Sequence, residues 1–171
     1  MQPPVCGTKK LVYAAAANWG NAIMIRTLII AAALLAAEPA AALDTDDVMA
    51  PIHAFVTAIN KGDMTAAAAA HVDAPSIIDE FPPHHWSGAG ALAAWGADFG
   101  KDSAAHGDTG GKLTMHKVHR LTIEGDAAYA VVPTDFSYKR KGKAVVEHGT
   151  ITYALAHTAS GWRIASWAYS W

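Results

Sequence analysis

Three short polar turns govern what the second half of this chain can become. Gly125-Asp126, Lys141-Gly142-Lys143 and Ala159-Ser160-Gly161 divide it into β-compatible runs over 112–124, 127–139, 144–157 and 162–171. Parallel strands need a crossover of a dozen or more residues, and these turns are far too short for one. The runs must therefore pair as consecutive antiparallel hairpins. Such a meander has one face to bury, and something must cover it.

The residues ahead supply helices. Val48, Ile52, Phe55, Val56 and Ile59 recur at helical spacing behind a cap at Asp46 or Asp47, with Pro51 in the first turns. Asn60-Lys61-Gly62 ends that helix. Asp63 opens an alanine-rich second one that runs to about His71. Asp73-Ala74-Pro75 breaks it, and 76–81 reads as a short strand stopped by Pro82-Pro83. A third helix is expected over 88–105 with Leu92, Trp95 and Phe99 on one face, followed by a loop at 107–111. Helices first and a meander after them is an α+β pattern.

The first 42 residues differ in kind. Met24-Ile25-Arg26, the apolar run 28–37 and the A-x-A-like Ala40-Ala41-Ala42 form the three parts of a secretory signal peptide. The reading is a misassigned extension over 1–23, a leader over 24–42 and a mature domain over 43–171 starting at Leu43. A single apolar anchor over 11–37 is the alternative, interrupted by Asn18, Asn21 and Arg26. Cleavage implies a periplasmic or secreted protein with no membrane segment afterwards. Cys6, the one cysteine, lies outside the mature part, which leaves it without disulfide or thiol chemistry. With 52 % hydrophobic and 16 % charged residues, disorder is not the default. A net charge of −2 offers no nucleic-acid footprint. The basic hairpin tip 139–143 reads as a solvated turn.

Three segments, in order and spacing, resemble the NTF2-like superfamily and within it the exported SnoaL-like proteins. They are the corner Ala58-Ile59-Asn60-Lys61-Gly62-Asp63, the run Ser76-Ile77-Ile78-Asp79-Glu80-Phe81 followed by a loop and Gly88, and Gly161-Trp162-Arg163-Ile164. The resemblance covers about 47–171. It implies an α+β cone of the ketosteroid isomerase/polyketide cyclase type, three N-terminal helices packed on a curved antiparallel sheet around a deep apolar pocket. It further implies a homodimer through the outer sheet face and a small-molecule ligand. Enzymes of the superfamily, including scytalone dehydratase, use one acid or base and one or two hydrogen-bond donors, with no cofactor.

On that resemblance Glu80 falls at the isomerase's catalytic carboxylate, with Asp79 beside it. On a strand the two point to opposite faces, so only one is expected inside. A carboxylate in an apolar pocket has a raised pKa and can shuttle a proton. His84 or His85 would share that work or donate. Phe55 stands where the isomerase has its donor tyrosine, and no carboxylate lies over 151–153 for its second donor, which undercuts that mechanism. Phe55, His85, Trp86, Trp95, His116, Tyr153 and Trp167 are the expected pocket lining. Trp167, Tyr169 and Trp171 share one face of the last strand, facing a ligand, the core or a dimer partner. The histidines at 116, 119, 148 and 157 lack tight ligand spacing, so no metal is expected. The leading reading is a pocket protein for an apolar or ring-containing ligand. A cofactor-independent isomerase, cyclase or dehydratase, and a structural dimerisation module, are the alternatives.

Overall fold

The computed structural model describes residues 45–171. The expected extension, leader and start at Leu43 lie outside the described residues. Helix α1 (Thr45–Lys61) buries Val48, Ile52, Phe55 and Val56 along one stripe, as their spacing requires. Asp46 and Asp47 sit in its first turn, where negative charge suits the helix dipole. Gly62 takes a φ of 71° to close it, and the Asp63 N–H donates back to the Ala58 carbonyl at 2.9 Å. Asp63 then caps α2 (Met64–Ala69), accepting from the Ala66 N–H at 2.9 Å.

Strand β1 (His71–Ile78) begins where the second helix was expected still to run, and it passes through Asp73-Ala74-Pro75. The expected break is instead an irregularity. Pairing of β1 with the last strand skips from His71 to Ser76, and Pro75 occupies the gap, where its missing N–H is not needed. The strand stops at Ile78, short of the expected end at Phe81. A short strand β2 (His85–Ser87) follows, then helix α3 (Ala91–His106), ended by Gly107 at φ 75°.

The expected run 112–124 is two strands, β3 (Asp108–Met115) and β4 (Arg120–Glu124), both paired with β5 (Ala127–Arg140). Pro133 explains the break. Its carbonyl accepts from the His116 N–H at 2.9 Å, but it has no N–H to return on that side. Strands β6 (Lys143–Thr158) and β7 (Gly161–Ser170) complete the three expected hairpins. The order is β2-β1-β7-β6-β5-β3, with β4 also on β5. Every pair is antiparallel except β1–β7, which is parallel.

Bulges bend this sheet. One falls between Thr109 and Lys112, with Gly110 at φ 69°. Another inserts Ala165 into β7 between the partners of Ala154 and Leu155. It shifts the side-chain alternation by one, so Trp162 and Ile164 before it and Trp167 after it are all buried on the concave side. Helix α1 packs on β7 and β3, and α3 on β1, β2 and β3. Among the described residues no helix is long and apolar enough to cross a membrane.

Candidate functional site

Between the helices and the concave sheet face lies a cavity of about 330 Å³. Phe55 and Ile59 of α1 form one wall, and Trp95 and Phe99 of α3 another. Leu113, Phe136, Ile151, Trp167 and Tyr169 rise from the sheet. The register accounts for this set. Leu113 pairs with Phe136, Phe136 with Glu147, and Ile151 with Tyr169, so one row crosses three strands on one face. Trp95 stacks on Phe99 at 5.6 Å and meets Trp167 edge-on at 5.2 Å. Asn60 fixes the end of α1 to β3 through two 2.8 Å bonds with the Leu113 backbone.

Three carboxyl groups reach this cavity: Asp79, Glu80 and Glu147. Because β1 ends at Ile78, Asp79 and Glu80 sit in a loop closed by Asp79 N–H to His84 O at 3.1 Å and His84 N–H to Phe81 O at 2.9 Å. Strand alternation no longer applies, and both residues line the cavity rather than one. Asp79 is the anchored one. It accepts from the Trp95 indole N–H and from the Glu80 backbone N–H, each at 2.8 Å. Burial pushes its carboxyl above the ordinary value against the pull of those two bonds. Burial also raises Glu80, and the negative charges of Glu147 and Asp79 add to it. Glu147 accepts from the Tyr138 hydroxyl at 2.6 Å.

Tyr169 faces these groups. Burial first, then Glu80, Glu147 and Asp79, push its phenol up to about 12, so it stays protonated and can donate. Its hydroxyl is buried with no protein partner, as is the Trp167 indole N–H. Tyr169 lies over Gly149, where an added Cβ would meet its ring at 2.5 Å. A side chain at 149 is therefore incompatible with this placement of the phenol.

Of the residues expected from the sequence, the fold brings Phe55, Asp79, Glu80, Trp95 and Trp167 together around the cavity. The others lie elsewhere. His84, at φ 72°, is exposed and directs Nδ1 to the Asp79 carbonyl oxygen at 3.3 Å. His85 is exposed on β2 beside the Ser76 hydroxyl at 3.1 Å. Trp86 is buried, donates to Asp98 at 3.1 Å and packs on Phe81. Tyr153 is fully buried in the core. His116 bonds Asp135 at 3.0 Å, away from the cavity lining. Glu147 was not among the expected site residues, and Tyr169 was expected only as one of three aromatics facing a ligand, the core or a dimer partner. Counting back from inward Tyr153 in steps of two reaches Ile151, Gly149 and Glu147, which is the signal that identifies Glu147. Among the described residues no group of three or more His, Cys, Asp and Glu is placed to hold a metal ion.

A family model described as the SnoaL-like domain matches residues 48–171. Solved structures share the fold at low identity. A ketosteroid isomerase-like protein from Erwinia carotovora atroseptica is 20 % identical with a TM-score of 0.58, covering 75 % of this chain and 96 % of its own. An NTF2-like superfamily protein from Salmonella enterica is 22 % identical with a TM-score of 0.60, covering 73 % and 88 %. An NTF2-like protein with a cystatin-like fold from Novosphingobium aromaticivorans is 15 % identical at the same score, covering 89 % and 90 %. No curated protein matches the chain.

Proposed function

The chain belongs to the SnoaL-like domain family, and from that membership we propose that it binds a small molecule with a flat apolar body in the cavity between α1, α3 and the sheet. The observation that carries this reading is the cavity itself. It sits at the small end of ligand sites, is walled by aromatic rings, and has a few polar groups converging on it. A titration of the chain with 2-naphthylmethanol, followed by tryptophan fluorescence, tests it. Saturable quenching through Trp95 and Trp167 is expected, and Ile59→Trp, which fills the cavity, should abolish it. Linear quenching that ignores this substitution would sink the reading.

A second reading is favoured by one observation. Asp79 is held by two hydrogen bonds, has a raised pKa and shares its cavity with the protonated Tyr169. A base of this kind takes a proton from carbon beside a carbonyl while the phenol donates to the developing oxyanion. No cofactor is required. Exchange of such protons with D2O, monitored by NMR on bound cyclic ketones, should be lost in Asp79→Asn while binding survives. Exchange at the uncatalysed rate with the intact chain would remove the enzyme reading and leave the binder.

The same proposal places the protein outside the cytoplasm as a homodimer through the outer sheet face. Cell fractionation with N-terminal sequencing checks export and cleavage near Leu43. Sedimentation equilibrium checks the dimer.

A further inference from the structure

We infer that the cavity selects an organic cation, a ring system bearing a protonated amine or quaternary ammonium, and rejects its anionic counterpart. This rests on the ligand-pocket reading above and names the ligand's charge. Among the described residues lining the cavity, three are acidic and none is lysine, arginine or histidine. Asp102 adds further negative charge that reaches both Asp79 and Glu80.

Two cations outside the lining are held by other acids, although the Arg140 charge also reaches Glu147. Arg140 is held by Asp108 through two bonds of 2.8 and 2.7 Å, and Lys101 by Asp98 at 2.7 Å. No side chain of the lining itself opposes the charge of these three carboxyl groups. An anion entering there would meet like charge at low dielectric, which is how a site excludes a wrong ligand.

The walls point the same way. The faces of Trp95, Phe99, Phe136, Trp167 and Tyr169 carry the negative side of an aromatic quadrupole, which attracts ammonium groups. A metal ion fits poorly, because among the described residues no group of three or more His, Cys, Asp and Glu is placed to hold one. Trp167 is 4 % exposed, lines the cavity and carries a buried indole N–H without a partner.

Three probes that share one ring test this: 2-naphthylmethylammonium, 2-naphthylmethanol and 2-naphthoate, titrated into the full chain by calorimetry at neutral pH. The ammonium is expected to bind at least tenfold more tightly than the alcohol, with 2-naphthoate the weakest. Glu80→Gln and Glu147→Gln should each shrink the ammonium-to-alcohol ratio, and added salt should weaken the ammonium most. If the alcohol equals the ammonium, or 2-naphthoate is preferred, the charge inference is overturned and the pocket stands. A ratio unmoved by both variants also overturns it, since the carboxyl groups would not be its source. If none of the three binds saturably, the pocket reading falls and the inference falls with it.

Discussion

Two adjacent rows of the β5–β6 ladder use carboxyl groups in opposite ways. Asp135 pairs with His148, and the next row pairs Phe136 with Glu147. The first row faces out. There Asp135 accepts from His148 at 2.7 Å and from His116 at 3.0 Å, and those bonds hold its carboxyl below the ordinary value. The second row faces the cavity, where Asp79 and Glu80 are raised by burial. One residue step along a strand thus separates an outward carboxylate held by two histidines from Glu147, which lines the cavity beside Asp79 and Glu80. Two polar groups of the cavity lining, the Tyr169 hydroxyl and the Trp167 indole N–H, have no protein partner, unlike Asp135 on the outer row.

The strongest way to break this contrast is to remove mass from each face. Trp167→Ala takes out a side chain 4 % exposed that touches Phe55 and Trp95, and should cost about 3–5 kcal/mol in urea denaturation. Val146→Ala, at 52 % exposure, should stay within about 0.5 kcal/mol. Comparable losses would mean that the outer face is also packed, as in a stable dimer.

Next in size is Gly149→Ala. Its new Cβ would sit 2.5–2.7 Å from the Tyr169 ring, so the phenol must move or the strand must shift. Overpacking of this kind costs about 1–3 kcal/mol. Near-ultraviolet dichroism should change with it. Full stability with an unchanged tyrosine signal would show that the ring does not rest on Gly149.

The meander, its three turns and the helical stripe of α1 were legible because each is a local pattern: short polar turns, or apolar residues at period 3.6. The NTF2-like assignment was legible too, from the corner at 58–63 and the last strand. What was not legible depends on where strands end and bend. Asp79 and Glu80 both face the cavity because β1 stops at Ile78, and nothing local distinguishes Asp79 from a ninth strand residue. His116 was expected to look inward from a continuous strand. Pro133, on a neighbouring strand, breaks that strand and leaves His116 on Asp135 instead. Ala165 does the same to β7, since a one-residue bulge reverses side-chain facing beyond it. Trp86 looked like a ligand wall but braces Phe81, because its indole N–H finds Asp98 on helix α3.

The pH dependence of two neutral substitutions sharpens the contrast further, with opposite signs. Asp79 has a folded pKa raised above its ordinary value of ~3.9. Its stabilising contribution is complete below that ordinary value and is lost as pH rises through the raised one. Asp79→Asn should therefore raise the unfolding midpoint at pH 7 and bring no gain at pH 3. Asp135 has a depressed pKa, so its contribution is complete above ~3.9 and is lost as pH falls through the depressed value. Asp135→Asn should lower the midpoint at pH 7, and the loss should close in strong acid. Thermal melts of both variants across pH 2–8 read the two signs directly. The same sign for both would mean that the concave and outer carboxyl groups share one environment.

The smallest stability effect is expected at Tyr169, and it separates a structural hydroxyl from a ligand-facing one. The Tyr169 oxygen is buried with no protein partner, and its phenol is pushed up to about 12 by burial and by Glu80, Glu147 and Asp79. A hydroxyl that holds the fold together loses a bond on deletion, and the protein weakens by roughly 1 kcal/mol or more. A hydroxyl without a partner loses only its desolvation penalty, so Tyr169→Phe should be neutral or slightly stabilising. The ring, its seat over Gly149 and its pairing with Ile151 are kept. Calorimetric unfolding beside a 2-naphthylmethylammonium titration gives both numbers on one preparation. Unchanged stability with weakened binding places the hydroxyl on the ligand. A clear loss of stability with binding intact would assign it to the core, and of the two unpaired groups on cavity-lining residues only the Trp167 indole N–H would remain for a ligand.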